Sequence, residues 1–199
     1  WERYYDVVEP ASPVLDLLNV EYLVARDGAE RPGLERRAKL GAMFVFRNPD
    51  ALPRFYLAER AHRAANLDAA IARMRAADFD PRREAVVEGR GVQAGGAGTV
   101  RVVRYGEREV ALETEADGPA LLVSSEAWYP GWRAWVNGRE QPLVLTNAAF
   151  RGLAVPAGRS TVRMRFDPPV LWRGAAVSLA ALAALAMLAA VGDNRRSKA

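Results

Sequence analysis

The chain has 199 residues, half of them hydrophobic and 26% charged, which is enough apolar side chain to fill real cores and excludes a disordered polymer. Cysteine is absent, so disulfides, thiol nucleophiles and thiolate metal sites are excluded, and a single histidine, His62, excludes a histidine pair or a histidine-rich zinc site. The formal charge of +4 comes from 26 Arg and 2 Lys against 24 acidic residues, too mild and too dispersed for a nucleic-acid binder.

In chain order, residues 14–25 (VLDLLNVEYLVA) form an apolar run with a strand-like end, and 26–40 read as a charged loop around Pro32 and Gly33, with room for a short helical turn. Residues 42–47 (AMFVFR) and 54–58 (RFYLA) read as strands, the first closed by the turn Asn48-Pro49-Asp50. Asn66 is placed to cap a helix whose Leu67, Ala70, Ile71, Met74 and Ala77 share one face, with Asp68 in its first turn. The segment Asp78-Phe79-Asp80-Pro81 ends it, and 84–88 resume as a strand. Residues 89–98 (GRGVQAGGAG) are Gly-rich and read as a linker between two parts, 1–88 and 99–169.

Beyond the linker, short strands follow at even spacing: 100–105, 109–115, 120–125, 132–137, 143–146, 149–155 and 161–166. Asn137-Gly138 signals a type I′ hairpin, and Ala157-Gly158 a second turn. The fold class expected is α+β: a small α/β part over 1–88, then an antiparallel β-sandwich or jelly-roll-like part over 99–169.

A mean hydropathy of −0.13 conceals one asymmetry. Residues 174–191 carry no charge, and their only polar side chain is Ser178. At 1.5 Å per residue that run is roughly 27 Å long, close to the ~30 Å hydrocarbon core of a bilayer. The expectation is a transmembrane helix over 170–192, with Trp172 and Arg173 as interfacial anchors at one end and Arg195, Arg196 and Lys198 at the other. By the positive-inside rule the tail 193–199 is cytoplasmic and residues 1–169 are extracytoplasmic. Half of the run is alanine, which suits packing against other helices better than standing alone in lipid. The chain opens on Trp1 with no initiator Met and nothing like a signal peptide, so a segment of a longer protein is expected.

Chemistry is sparse. In Trp128, Tyr129, Trp132 and Trp135, strand alternation puts Trp132 with Ala134 and Val136 on one face and Trp135 with Arg133 on the other. One face must be core, which leaves Tyr129 and Trp135 as candidate contacts for a glycan or a lipid headgroup. Glu113 and Glu115 share a strand face, but a retaining carboxylate pair normally comes from separate strands, so an exposed charged edge is the plainer reading. The Gly-rich segment lacks the Lys of a phosphate loop and the order of a dinucleotide site. His62, in AERAHRAAN, has no carboxylate or histidine at ligand spacing and reads as a surface residue. No catalytic residue, metal ligand or cofactor site is expected.

Several segments taken together carry a resemblance: LLNVEYLV (17–24), RNPDALPR (47–54), DFDPR (78–82), WYPGWRAWVNG (128–138), NAAF (147–150), VPAG (155–158) and FDPP (166–169) ahead of the apolar run. In this order they resemble the C-terminal region of bacterial YfhO-type multipass membrane proteins, over essentially the whole chain. The resemblance implies a cell-envelope protein similar to GT-C glycosyltransferases, which use polyprenyl-phosphate sugars at the outer membrane face. Implied partners are the bilayer, upstream transmembrane helices, a polyprenyl-phosphate sugar and a cell-wall glycopolymer. In that superfamily the catalytic acid lies in an early outer loop, outside these 199 residues, so no catalytic residue carries over. The competing reading is a membrane-anchored, non-catalytic β-sandwich that binds carbohydrate or mediates adhesion.

Overall fold

The computed structural model describes residues 14–26 and 32–196, with side chains of the C-terminal helix described at 169–170 and 172–187. Its elements are α1 (Val14–Leu17), β1 (Tyr22–Ala25), β2 (Glu35–Leu40), β3 (Met43–Arg47), β4 (Phe55–Ala58), β5 (Arg60–Ala64), α2 (Leu67–Met74) and β6 (Glu84–Glu88). They continue with β7 (Gly98–Tyr105), β8 (Glu109–Ala116), β9 (Ala120–Ala127), β10 (Trp132–Val136), β11 (Arg139–Gln141), β12 (Val144–Thr146), β13 (Phe150–Val155), β14 (Gly158–Phe166) and α3 (Pro169–Arg196). Among the described residues the strands form three sheets, ordered β1-β3-β2, β11-β10-β14-β8-β7 and β4-β9-β13-β12-β6-β5. The fold is α+β and β-rich, with mostly antiparallel pairing; β5 and β6 run parallel.

Alternation along the central strands builds two cores on opposite sides of the six-stranded sheet. Phe55 and Leu57 of β4, Ala120 and Leu122 of β9, and Leu153 and Val155 of β13 face the five-stranded sheet. That sheet returns Val110, Leu112, Ala134, Val136, Val162 and Met164, and the two make a sandwich. Tyr56, Ala58, Leu121, Val123 and Phe150 point the other way and pack with Ala70 and Met74 of α2, Phe79, Leu17 and Leu52. The six-stranded sheet is therefore buried on both faces, as its run of apolar residues in β9 requires.

The six-stranded sheet takes β4, β5 and β6 from before Gly89 and β9, β12 and β13 from after Gly98, so the two parts expected on either side of the Gly-rich segment share a sheet and a core. The charged segment expected as a loop contains β2, which turns at Gly41 (φ 60°) to pair with β3. Its six residues are all exposed, so no apolar alternation marks it. The α2 cap is as expected: Asn66 Oδ1 accepts from the Ala69 N–H at 2.9 Å. Asn137 (φ 51°) and Gly138 (φ 79°) make the primed turn between β10 and β11.

A C-terminal helix forms where one was expected, and Val177, Leu179, Leu182, Leu185 and Met187 on it are exposed. Among the described residues, no helix is long and apolar enough to cross a membrane. The transmembrane crossing over 170–192 is thus not established by the fold.

Candidate functional site

The motifs that carried the resemblance turn out to lace the chain together. Asn48 Nδ2 donates to Asp16 Oδ1 at 2.8 Å and Asn19 Nδ2 to the Leu52 carbonyl at 2.7 Å, joining the first two segments. In NAAF, Asn147 is fully buried with φ 49°; its Oδ1 accepts from the Val86 N–H at 2.8 Å and its Nδ2 donates to the Tyr56 hydroxyl at 3.3 Å. In the YPG turn, Gly131 (φ 107°) accepts from the Asp167 N–H at 2.7 Å. Tyr129 and Trp132 lie against Phe166, at 6.3 and 5.5 Å between ring centroids. The aromatic turn thereby grips the junction that leads into α3.

Trp132 is half-buried against the sandwich core, whereas Trp135 sits on the outer face of the five-stranded sheet between the Arg133 and Arg163 guanidiniums, at 5.1 and 5.8 Å. Tyr129 is exposed. The two candidate contacts therefore sit apart, Tyr129 at the helix junction and Trp135 among outer-face arginines. Glu113 pairs with Arg101 and Glu115 with Arg159 at 3.3 Å, all on the exposed outer face. At the start of α3, Trp172 is 72% exposed and its indole N–H donates to Asp167 at 3.4 Å. A groove of about 580 Å³ beside it is lined by Trp172 and by balanced charges, Arg104, Arg108 and Arg165 against Glu107, Glu109 and Asp167. Arg173 is exposed; the side chains of Arg195 and Arg196, and all of Lys198, lie outside the described residues.

His62 requires a correction, because it does have a carboxylate partner. Parallel pairing of β5 with β6 puts His62 Nε2 at 2.7 Å from Glu84 Oε2, a partner 22 residues away that local spacing could not reveal. Glu84 is buried, and Arg60 and Arg73 also donate to it, Arg73 at 2.9 Å. Burial by itself would raise its carboxyl, but hydrogen bonds from His62 and Arg60, with their charge, outweigh it and hold the group below the ordinary glutamate range. The arrangement neutralises a buried acid beside α2, with the histidine half-exposed.

A second polar cluster lies between the sheets at the end nearest α3. Arg151 of β13 shares its face with Leu153 and Val155 and so points into the sandwich, where it is 2% exposed. Its Nη2 donates to Glu126 and its guanidinium stacks on the Trp132 ring, 3.8 Å from the centroid. Tyr105 donates its hydroxyl proton to the other oxygen of Glu126 and accepts from Arg54. The hydrogen bond to Glu126 raises the Tyr105 phenol; burial lowers the Arg151 guanidinium, opposed by the Glu126 charge. A cavity of about 420 Å³ opens on this cluster, lined by Tyr105, Gly106, Glu107, Glu126, Trp132 and Arg151. Sequence reasoning passed over Arg151; the signal available was its place in the alternation of β13.

Among the described residues no group of three or more His, Asp or Glu is arranged to hold a metal. No family model, curated protein or solved structure matches the chain.

Proposed function

We propose that the chain is the outer β-sandwich region and a membrane helix of a YfhO-type envelope protein, held at the outer face of the bilayer where lipid-linked sugars are handled, and not itself catalytic. The observation that carries this reading is α3. It leaves β14 through Pro168 and Pro169 and presents Val177, Leu179, Leu182, Leu185 and Met187 to the surroundings rather than to protein. Such a helix is ill-suited to water and well suited to lipid or to neighbouring helices. The uncharged sequence runs on to Val191 before Arg195, Arg196 and Lys198, which supports a crossing with the tail inside. Trp172, exposed at the start of α3, lies at the level where headgroups would meet the sandwich. The order of the quoted motifs supports the family reading, and a cell-membrane location follows from both.

The test is a reporter active only in the cytoplasm, fused after Ala199. Activity is the expected result. Silence there, with activity from a reporter specific for the outside, overturns the orientation and the outer-face reading together. The purified chain is also expected to transfer no sugar from a polyprenyl-phosphate donor.

The second reading, a membrane-anchored binding module with no catalysis in the whole protein, is favoured by the cavity over Arg151, where a buried guanidinium and the Trp132 ring offer contacts to a bound group. Hydrophobic spans encoded upstream of Trp1 decide for the first reading, and a signal peptide or no such spans decides for the second.

A further inference from the structure

The hydrogen-bond inventory around Arg151 does not close. Glu126 spends one oxygen on the Tyr105 hydroxyl and the other on Arg151 Nη2, and the Tyr105 oxygen is taken by Arg54. The Nε and Nη1 groups of Arg151 are left with no hydrogen-bond partner among the described residues, although the side chain is buried. Buried donors on a charged group are normally paired. What is missing is an acceptor. Beside the cavity the half-exposed Arg54 stands 3.7 Å from Glu126, as a second guanidinium near the one carboxylate that Arg151 already uses. The exposed Glu107 at the cavity lip balances the exposed Arg54, so it is the unpaired buried donors of Arg151 that call for an acceptor.

We propose that the cavity under Trp132 is a binding site for a small oxyanion, a carboxylate or phosphate group carried by a larger acidic molecule, with Arg151 as its principal donor and the half-exposed Arg54, which holds Tyr105 beside the cavity, as a supporting cation. A guanidinium suits either oxyanion because its N–H groups are fixed in one plane and fully charged. The volume of about 420 Å³ admits one such group with the ring or glycerol unit that bears it. The orphan nitrogens are out of solvent and the Trp132 ring is stacked on the same guanidinium, so binding moves the half-buried indole aside. Trp132 is thus both the roof of the site and its optical reporter. The proposal does not depend on membrane insertion.

The experiment uses the full 199-residue chain in detergent micelles, titrated with sodium glucuronate, inorganic phosphate and glucose, followed by tryptophan fluorescence and by calorimetry. Glucuronate, phosphate or both should give saturable binding, with glucose inert at the same concentration. A response to glucuronate alone identifies an acidic sugar as the source of the oxyanion, and a response to phosphate alone identifies a phosphate ester; either supports the site. Trp132→Phe should abolish most of the fluorescence change while calorimetric affinity stays within about threefold. Arg151→Gln should weaken binding at least about tenfold, and the exposed Arg54→Gln about three- to tenfold, which keeps the test alive if Arg151→Gln does not fold. Folded wild type that binds neither anion, or binds glucose equally, overturns the proposal; so does anion affinity unchanged in Arg54→Gln. Such a result leaves the reporter outcome at Ala199 untouched, so the two readings fail separately.

Discussion

The substitution Glu84→Gln removes the carboxylate on which Arg60, His62 and Arg73 converge, and its cost follows from where the orphaned groups are left. Breaking a buried ion pair by deleting one partner costs about 3–5 kcal/mol when the remaining charge stays buried. Here Arg60 and His62 reach water, with side chains 57% and 35% exposed, and only Arg73, at 23%, remains largely enclosed. The cost should therefore fall to about 2–3 kcal/mol, most of it from Arg73 and from a glutamine amide that cannot match the donors around it. For a chain of this size that is a drop in melting temperature of about 4–12 °C. The pH dependence adds a second signature. Burial raises and the hydrogen bonds from His62 and Arg60 lower the Glu84 carboxyl, for a net position below its ordinary value of 4.5. Its stabilisation is then complete above that value and drains away as pH falls through the lower, folded pKa. Glutamine has no such step, so the gap between wild type and variant should be full near neutrality and close in acid. Urea unfolding followed by circular dichroism, at neutral pH and at about pH 3, measures both quantities. A gap under about 0.5 kcal/mol at neutral pH, or one that persists unchanged in acid, refutes this account of the cluster.

Asn147→Ala should cost about 2–4 kcal/mol in thermal unfolding, because it orphans the buried Val86 N–H and places alanine at φ 49°. Gly131→Ala should sensitise the helix junction to limited proteolysis: its Cβ would fall 2.8 Å from Pro168 Cβ, and alanine resists φ 107°. A Cβ at Gly138 meets no atom within 4 Å, so its φ of 79° is the main obstacle to Gly138→Val; chemical denaturation should register about 1–3 kcal/mol, largely recovered in Gly138→Asn. Trp135→Ala, on the outer face, should stay within about 1 kcal/mol of wild type, whereas Trp132→Ala should lose about 3 kcal/mol. Equal losses in that pair would show that both faces of β10 are covered.

Where one face of a strand meets the core, the residues announced it. Val110, Leu112 and Thr114 alternate with charged or small outer residues, and Val162 and Met164 with arginines, so β8 and β14 were readable with their orientation. Three strands were not. β2 and β11 are exposed throughout, and β5 (RAHRA) sits in an alanine- and arginine-rich stretch of helical composition; its strand form comes from parallel pairing with β6, which no local pattern records. The same non-local pairing hid the partner of His62. Arg151 was missed for a different reason. An arginine between apolar neighbours is ordinarily taken as outward-facing, yet its register with Leu153 and Val155 already required it to point inward. The aromatic cluster was read correctly in its alternation, with Trp132 toward the core and Trp135 away from it, but its tie to the FDPP segment depends on a contact between distant parts of the chain.

The grip of the YPG turn on residues 166–168 makes the start of α3 a rigid joint rather than a hinge. The Gly131 carbonyl holds the Asp167 N–H, the Arg108 carbonyl holds the Phe166 N–H, and two prolines follow, which together remove most of the torsional freedom between the last strand and the helix. The start of the helix is thereby tied to the sandwich, so a displacement of α3 bears first on residues 166–168. Among them is Phe166, whose ring rests on Trp132, and Trp132 rests on Arg151. The helix junction and the buried guanidinium are thus linked by two successive ring contacts.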